Sequence, residues 1–339
     1  MKPRVFVVQP IPEVALDILR EVAEVTVYPH LDRQISIDEL VLNAKRNDYI
    51  FAMGDTIVPA EVIHANPDLK GISLVSRKAS NVDLEAARAR RLPVAGNHPA
   101  DAIYREICKV TCDLTMGMLL GLAYRLVEAD RYTKCGHFKQ EQTMALMGVG
   151  CPGKTAGLIG LGIVGEFMVP RLRAFEMQVL YTKRRRLGLD RERELGVEWA
   201  ADKDEILRRS DFVVVACDYN PSTHRLIGAR ELALMNRTAH LINTGRGRIV
   251  DEAALVQALR DGTIAGAGLD VFWNEPPVTH EPAPTPELYK LDNVILAPHN
   301  GGATWDVRSA MTKSVALNIV AMIKGQRPPG ILNPEIYDG

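Results

Sequence analysis

The chain has 339 residues, 47% of them hydrophobic and 24% charged, and its formal net charge is −1. That length exceeds what one hydrophobic core supports and predicts two domains, while the near-zero charge excludes a general electrostatic pull toward nucleic acid or an anionic membrane and leaves small metabolites as partners. Five cysteines, odd in number and with no Cys-x-x-Cys pair, exclude a disulfide framework and read as reduced thiols of a cytoplasmic protein.

In chain order, Met1 to Val8 runs straight into a strand with no apolar leader ahead of it, and no 18-residue apolar stretch follows anywhere. Strands are predicted over Val5 to Val8, Val25 to Tyr28, Tyr49 to Met53, Ile72 to Val75 and Val94 to Ala95, with helices over Pro12 to Val22, Ile37 to Lys45, Pro59 to Ala65 and Leu84 to Arg90. Alternation of this kind marks a parallel α/β sheet. His98 to Cys108 reads as a link. A long pattern from Lys109 to Tyr132, carried by Leu114, Met118, Leu119, Leu122 and Leu126, reads as one helix leading into the second half. Cys108, Cys112, Cys135 and His137 match no common zinc spacing, and no metal is expected.

The second half predicts strands over Thr155 to Ile159, Gln178 to Tyr181, Phe212 to Ala216, His240 to Asn243, Gly266 to Leu269 and Val294 to Ala297. A final helix, Trp305 to Ile323, is expected to cross back and complete the first lobe. Pro276 to Pro286 reads as a proline-rich loop.

Where the first of these strands ends, Gly157 to Gly165 contains Gly160, Gly162 and Gly165 in Gly-x-Gly-x-x-Gly spacing. The first glycine permits a tight turn, the second a close approach of backbone to a pyrophosphate, and the third helix-on-strand packing. The helix N-terminus, with the amides of Ile163 and Val164, attracts the phosphate charge. A dinucleotide site follows from that context. At the tip of the next strand an NAD site places an acidic residue on the adenosine ribose, but here Thr182 is followed by Lys183, Arg184, Arg185 and Arg186. Cationic forks suit a 2′-phosphate, so NADP(H) is expected over NAD(H).

Three further strand ends carry chemistry: Asn243 to Asp251 with Arg246, Gly268 to Pro276 with Asp270 and Glu275, and Leu296 to Gly302 with His299. Open α/β sheets hold ligands at the carboxyl ends of their strands, so one cleft can collect all three. Hydride transfer from a dinucleotide to a carbonyl leaves negative charge on its oxygen, which calls for a proton donor and a cation. His299 can supply the first, Glu275 can fix its tautomer and raise its pKa, and Arg246 can grip a substrate carboxylate and polarise the carbonyl. His30, His64, His137, His224, His240 and His280 read as surface or satisfied histidines.

Over essentially its whole length the chain resembles the D-2-hydroxyacid dehydrogenase family, which includes glyoxylate/hydroxypyruvate reductases, phosphoglycerate dehydrogenases and D-lactate dehydrogenases. The glycine run, Arg246 in Asn-x-x-Arg-Gly, Glu275 five positions after Asp270, and His299 in Pro-His carry that resemblance. It implies two doubly wound parallel-sheet domains: a Rossmann dinucleotide-binding domain over 106–302 and a smaller flavodoxin-like substrate domain over 1–105 and 303–339. It further implies hydride transfer from C4 of the nicotinamide to give a D-2-hydroxy acid, dimerisation through the long helix, and a role for Asp270 in orienting the carboxamide or influencing the histidine. The expected cofactor set adds Cys217, Thr223, Thr244, Asp270 and Gly301 to the glycine loop and the ribose tip. The same fold also serves transcriptional corepressors that sense nucleotides, so a cofactor-sensing interaction protein is the alternative class.

Departures from the family carry the substrate information. Arg77 and Lys78, in Ser76-Arg77-Lys78-Ala79-Ser80-Asn81, replace small residues of a loop whose amides bind the substrate carboxylate, which points to a dianionic substrate bearing a phosphonate, phosphate or second carboxylate. Side chains turned outward leave instead a general glyoxylate/hydroxypyruvate reductase. Asp218 stands where a proline is usual, Ile163 where an arginine is frequent, and Cys112-Asp113 where the family has Ala-Glu.

Overall fold

The computed structural model describes residues 2–97, 102–141, 144–275 and 284–338. The chain divides into two compact units, one of Met1–Glu106 with Ala303–Gly339, the other of Ile107–Gly302.

The first unit alternates β1 (Arg4–Val7), α1 (Glu13–Val22), β2 (Glu24–Val27), α2 (Ile37–Ala44), β3 (Tyr49–Ala52), α3 (Ala60–His64), β4 (Gly71–Leu74), α4 (Leu84–Ala89) and β5 (Val94–Ala95). Its five strands lie in the order β2-β1-β3-β4-β5, all parallel, which is the flavodoxin-like winding. β3 and β4, and β1 after its exposed Arg4, are almost continuously apolar and buried, as a sheet covered on both faces requires. Capping starts α2 cleanly: the Ser36 hydroxyl accepts the Glu39 N–H while the Glu39 carboxylate accepts the Ser36 N–H.

Next come α5 (Ile103–Ala123), α6 (Leu126–Lys134), β6 (Thr155–Ile159), α7 (Ile163–Ala174), β7 (Gln178–Thr182), α8 (Leu189–Leu195), β8 (Glu198–Trp199), α9 (Lys203–Arg209), β9 (Phe212–Val215), α10 (Ala229–Leu232), β10 (His240–Asn243), α11 (Glu252–Arg260), β11 (Gly266–Leu269) and β12 (Val294–Leu296). The second sheet has seven parallel strands in the order β12-β11-β10-β9-β6-β7-β8. Counted from β6, that is the Rossmann order with one strand added, and the winding reverses between β6 and β9. The last helix, α12 (Trp305–Ile323), packs on α1 and β4 of the first unit. Its buried Asn318 accepts the Gly330 N–H and donates to the Gly96 carbonyl, so the polar atoms it brings into that core are paired.

Two expectations are corrected. The single helix from Lys109 to Tyr132 is two helices, and the first begins at Ile103, inside the stretch read as a link. They meet at 60°. The break follows from Arg125, which takes the left-handed conformation at φ 50°, and from the Val149 N–H, which captures the Ala123 carbonyl at 2.7 Å. That carbonyl is thereby satisfied outside the helix. The second correction is His240, which is only 6% exposed and stacks on Phe212, yet its Nδ1 has no hydrogen-bond partner among the described residues. Burial pushes its pKa down to about 4. β8 has no counterpart among the predicted strands; its exposed Glu198 beside Trp199 makes no apolar run. His98 to Asp101 and Pro276 to Ala283 lie outside the described residues. Among the described residues no single helix is long and apolar enough to cross a membrane.

Candidate active site

The glycine loop sits where β6 ends at the reversal of the winding. Gly160 has φ 102°, and a Cβ there would lie 2.7 Å from the Cys217 N, so both backbone conformation and space demand glycine. A Cβ on Gly165 would sit 3.0 Å from the Gly160 carbonyl, which draws α7 tightly against the loop. Around Gly162, by contrast, nothing lies within 4 Å of that position. Gly162 caps α7 without a side-chain hydrogen bond, leaving first-turn amides, among them those of Ile163 and Val164, without an intrahelical partner. Open space beside uncapped amides at a helix N-terminus fits a pyrophosphate.

At the β7 tip the four cations divide. Arg186 forks onto Glu192 with two 2.8 Å bonds, and the Tyr181 hydroxyl donates to the same carboxylate at 2.6 Å. Lys183 Nζ donates to the Leu161 carbonyl at 2.8 Å, tying the tip to the glycine loop. Arg184 and Arg185 are exposed, and no ion pair joins either to another described residue. No carboxylate follows Thr182 in the loop, and Glu192 is committed to Arg186 and Tyr181. A dianion at this tip therefore meets guanidinium groups.

The loop after β9 carries Cys217, whose thiol burial pushes up to about 11, and Thr223, whose hydroxyl accepts the Asn220 N–H and donates to the Asp218 carbonyl. After β10, buried Asn243 shapes the next turn: its side chain accepts the Gly245 N–H at 3.1 Å and donates to the Arg246 carbonyl at 3.1 Å. The Thr244 hydroxyl pairs with that of Thr115 at 2.9 Å. Arg246 itself is exposed, donating to the Gly245 carbonyl at 2.7 Å. A Cβ on Gly247 would lie 2.0 Å from the Phe272 carbonyl oxygen, so the Arg246 turn is pressed directly on the backbone leaving β11.

β11 and β12 are neighbours, Leu269 facing Leu296. Glu275 Oε1 accepts the Phe272 N–H at 2.7 Å, and its Oε2 lies 2.7 Å from His299 Nδ1. With Nδ1–H donated to the carboxylate, Nε2 is the ring atom left for a ligand. The hydrogen bond with Glu275 raises the His299 pKa, against opposition from burial and from the Arg246 charge. Asp270 is 1% exposed and accepts the Asn300 N–H at 2.8 Å and the Gly301 N–H at 3.0 Å. Burial pushes its carboxyl up, and those amides oppose the shift. His299 takes φ 50°, with its own N–H on the Ala297 carbonyl. Such a conformation costs about 1–3 kcal/mol in a non-glycine residue and persists where neighbours over-determine it. Here Asp270 holds the two residues that follow.

In the first unit, Arg77 lies over the Tyr104 ring, its Cζ 4.3 Å from the centroid, and the Lys78 N–H donates to the Ser76 hydroxyl. Both cationic side chains are exposed. Two buried carboxylates escape a reading of the sequence, Glu192 beneath the β7 tip and Glu252. Glu252, directly after the Asp251 that caps α11, accepts the Trp273 N–H and the Thr285 N–H. Its only signal is an acidic pair beginning a helix, which reads as ordinary dipole compensation.

An uncapped glycine loop at the reversal of a seven-stranded parallel sheet, with Arg, Glu and His ending three adjacent strands, defines a dinucleotide-dependent oxidoreductase site. Residues 116–301 match the family described as D-isomer specific 2-hydroxyacid dehydrogenase, NAD binding domain. A glyoxylate reductase of Thermococcus gammatolerans is 38% identical over 340 residues, covering 99% of this chain and 97% of its own. Among solved structures, the TT0316 protein of Thermus thermophilus is similar at TM-score 0.82 and 34% identity, covering 97% of this chain and 99% of its own. An NADPH-dependent glyoxylate/hydroxypyruvate reductase from Sinorhizobium meliloti, crystallised with citrate, is similar at TM-score 0.73 and 30% identity, over 97% of each chain. The chain belongs to the D-2-hydroxyacid dehydrogenase family and is an NAD(P)-dependent enzyme of that family.

Proposed function

We propose that the protein reduces a small 2-oxo acid to the D-2-hydroxy acid with NADPH, using His299 as the proton donor. The observation that carries this reading is the 2.7 Å pairing of His299 Nδ1 with Glu275, at the same sheet edge as Arg246 and the glycine loop. NADPH, when bound, supplies the hydride. Gly160, Gly162, Ile163, Val164 and Gly165 would hold its pyrophosphate, and Arg184 and Arg185 its 2′-phosphate, with Lys183 fixing the tip they stand on. Thr182, Cys217, Thr223, Thr244, Asp270 and Gly301 line the remainder of that strand-end edge. Arg246 would bind the substrate carboxylate and oppose charge building on the carbonyl oxygen. His299, held in its donating tautomer by Glu275, would protonate that oxygen from Nε2.

The substrate favoured is of the glyoxylate or hydroxypyruvate type, because two of the relatives named above carry that activity in their names and because Arg77 is already engaged with Tyr104. A dianionic 2-oxo acid is the second reading, resting on exposed Lys78 beside Arg77. NADPH oxidation across glyoxylate, hydroxypyruvate, pyruvate, oxaloacetate and phosphonopyruvate tests both: the highest kcat/KM on a monoanion supports the first, on a dianion the second. No turnover with any of them, or a preference for NADH, overturns the corresponding part. A homodimer is supported by large apolar side chains left in solvent on and around α6, Tyr124 at 57%, Leu126 at 62% and Met147 at 64% exposed. Light scattering on the eluted protein reads its mass directly.

A further inference from the structure

Glu252 is a carboxylate only 8% exposed, and no Lys or Arg pairs with it among the described residues. Its charge is met by hydrogen-bond donors. Oε2 accepts the Trp273 N–H at 3.1 Å, and Oε1 accepts the Thr285 N–H at 2.7 Å together with the Thr285 hydroxyl. The first turn of α11, where Glu252 stands, adds the favourable end of a helix dipole. Three donors converging on one buried carboxylate is an arrangement suited to holding chain segments in register, since each bond to a charge is stronger than its neutral equivalent.

What is held is the turn that carries Glu275. Trp273 is fixed a second time by its indole N–H on the Val250 carbonyl at 2.7 Å, and a third time by the guanidinium of Arg225, whose Cζ lies 4.8 Å from the ring centroid. Phe272, one residue earlier, bears the N–H that orients Glu275 and the carbonyl on which Gly247 rests. We propose that Glu252 is a positioning residue for the reaction: by clamping Trp273 and Thr285 it sets the turn from which Glu275 reaches His299, and ties that turn to the one bearing Arg246. This rests on the reading of Glu275 and His299 given above. Glu252 itself touches no reacting group.

A residue that merely stabilises the fold leaves the titration of a distant histidine unchanged, whereas one that places Glu275 does not. The groups that act on His299 are Glu275, Arg246 and Asp270. Without its carboxylate partner the imidazolium loses its proton more easily, so reduction fails at lower pH. The test is a set of pH profiles of kcat/KM for glyoxylate reduction with NADPH in the full-length wild type and in Glu252→Ala, Glu275→Gln and the double variant, together with NADPH binding and thermal denaturation. Glu252→Ala is expected to lower kcat by about 10- to 100-fold, the scale of a misplaced reacting group. Its basic limb should move to lower pH, NADPH affinity should change little, and the substitution should add little in the Glu275→Gln background.

Thr285→Val removes one donor without emptying the space. It should move the same limb in the same direction by less, and it serves as the test if the alanine variant does not fold. A folded Glu252→Ala with the wild-type pH profile overturns the proposal, and so do losses that multiply fully with those of Glu275→Gln. If Glu275→Gln itself leaves the profile unmoved, the reading of the Glu275 and His299 pair fails instead, and this inference falls with it.

Discussion

The loops that end β10, β11 and β12 differ in kind from the loop that ends β4, although both groups stand at the carboxyl edges of parallel sheets. At the three strand ends of the larger unit the site is held by its neighbours. His299 is bonded to Glu275, Glu275 to the Phe272 amide, the loop after His299 to Asp270, and the Arg246 turn to Asn243. In the smaller unit Arg77 rests on a ring face and Lys78 extends into solvent. The first arrangement is pre-organised, so a substitution there removes geometry as well as charge. The second offers charge alone, screened by water, and its effects scale accordingly.

The largest expected effect is on the pre-organised side. His299→Asn should lower kcat by about 10²- to 10⁴-fold while NADPH binding stays near wild type, the usual span for a lost general acid. Near-normal turnover in that variant, followed by stopped-flow reduction, would remove the contrast altogether. Arg184→Ser with Arg185→Ser comes next: kcat/KM for NADPH should fall by about 10- to 100-fold and that for NADH far less, as expected for lost charge-assisted contacts. Equal losses with both cofactors would place those arginines with Lys78, as exposed charges without a ligand.

Gly247→Ala tests whether the packing between the loops is as tight as drawn. A methyl group 2.0 Å from a carbonyl oxygen must displace backbone, so about 1–3 kcal/mol of stability should be lost in urea unfolding, with Arg246 chemistry impaired alongside. Glu275→Gln should shift the basic limb of the reduction profile to lower pH. The sign follows from the carboxylate, which raises the His299 pKa in the wild type; an unshifted limb would show that the bond at 2.7 Å does not govern the titration. The smallest effect belongs to the β4 loop. Neutralising Arg77 and Lys78 should change the ratio of kcat/KM between a dianionic and a monoanionic 2-oxo acid by about fivefold at most, the range of exposed ion pairs. A larger change would mean that these cations do meet the substrate.

Much of the fold is legible in the sequence, for a physical reason. Buried parallel strands such as Tyr49–Ala52 and Phe212–Val215 are short apolar runs bounded by turn residues, and their ends fall within a residue or two of the periodic signal. The strand-end positions of Arg246, Glu275 and His299 can be read in the same way. What cannot be read depends on distant partners. The helix break at Arg125 is made by the amide of Val149, more than twenty residues on, and no local propensity forecasts it. Glu252 becomes a clamp only because Trp273 and Thr285 turn their amides toward it. The division of the β7 cations into paired and unpaired likewise depends on the location of Glu192 and the Leu161 carbonyl.

His240 and His299 respond to acid in opposite senses, and between them they bound the conditions in which the molecule can operate. In the mechanism proposed above His299 gives up its proton in reduction, and its hydrogen bond with Glu275 raises its pKa. His240, sealed against Phe212 with its pKa pushed down to about 4, refuses one while folded. Unfolded, it would accept a proton near pH 6.5. Its contribution to stability is therefore complete above that value and drains away as acidity rises toward pH 4, on the order of 3 kcal/mol in all. Acidification thus charges the imidazole paired with Glu275 and loosens the scaffold at once. On that mechanism the basic shoulder of the activity profile reports a titration at the end of β12, while the stability lost in acid reports the burial of an imidazole at the head of β10.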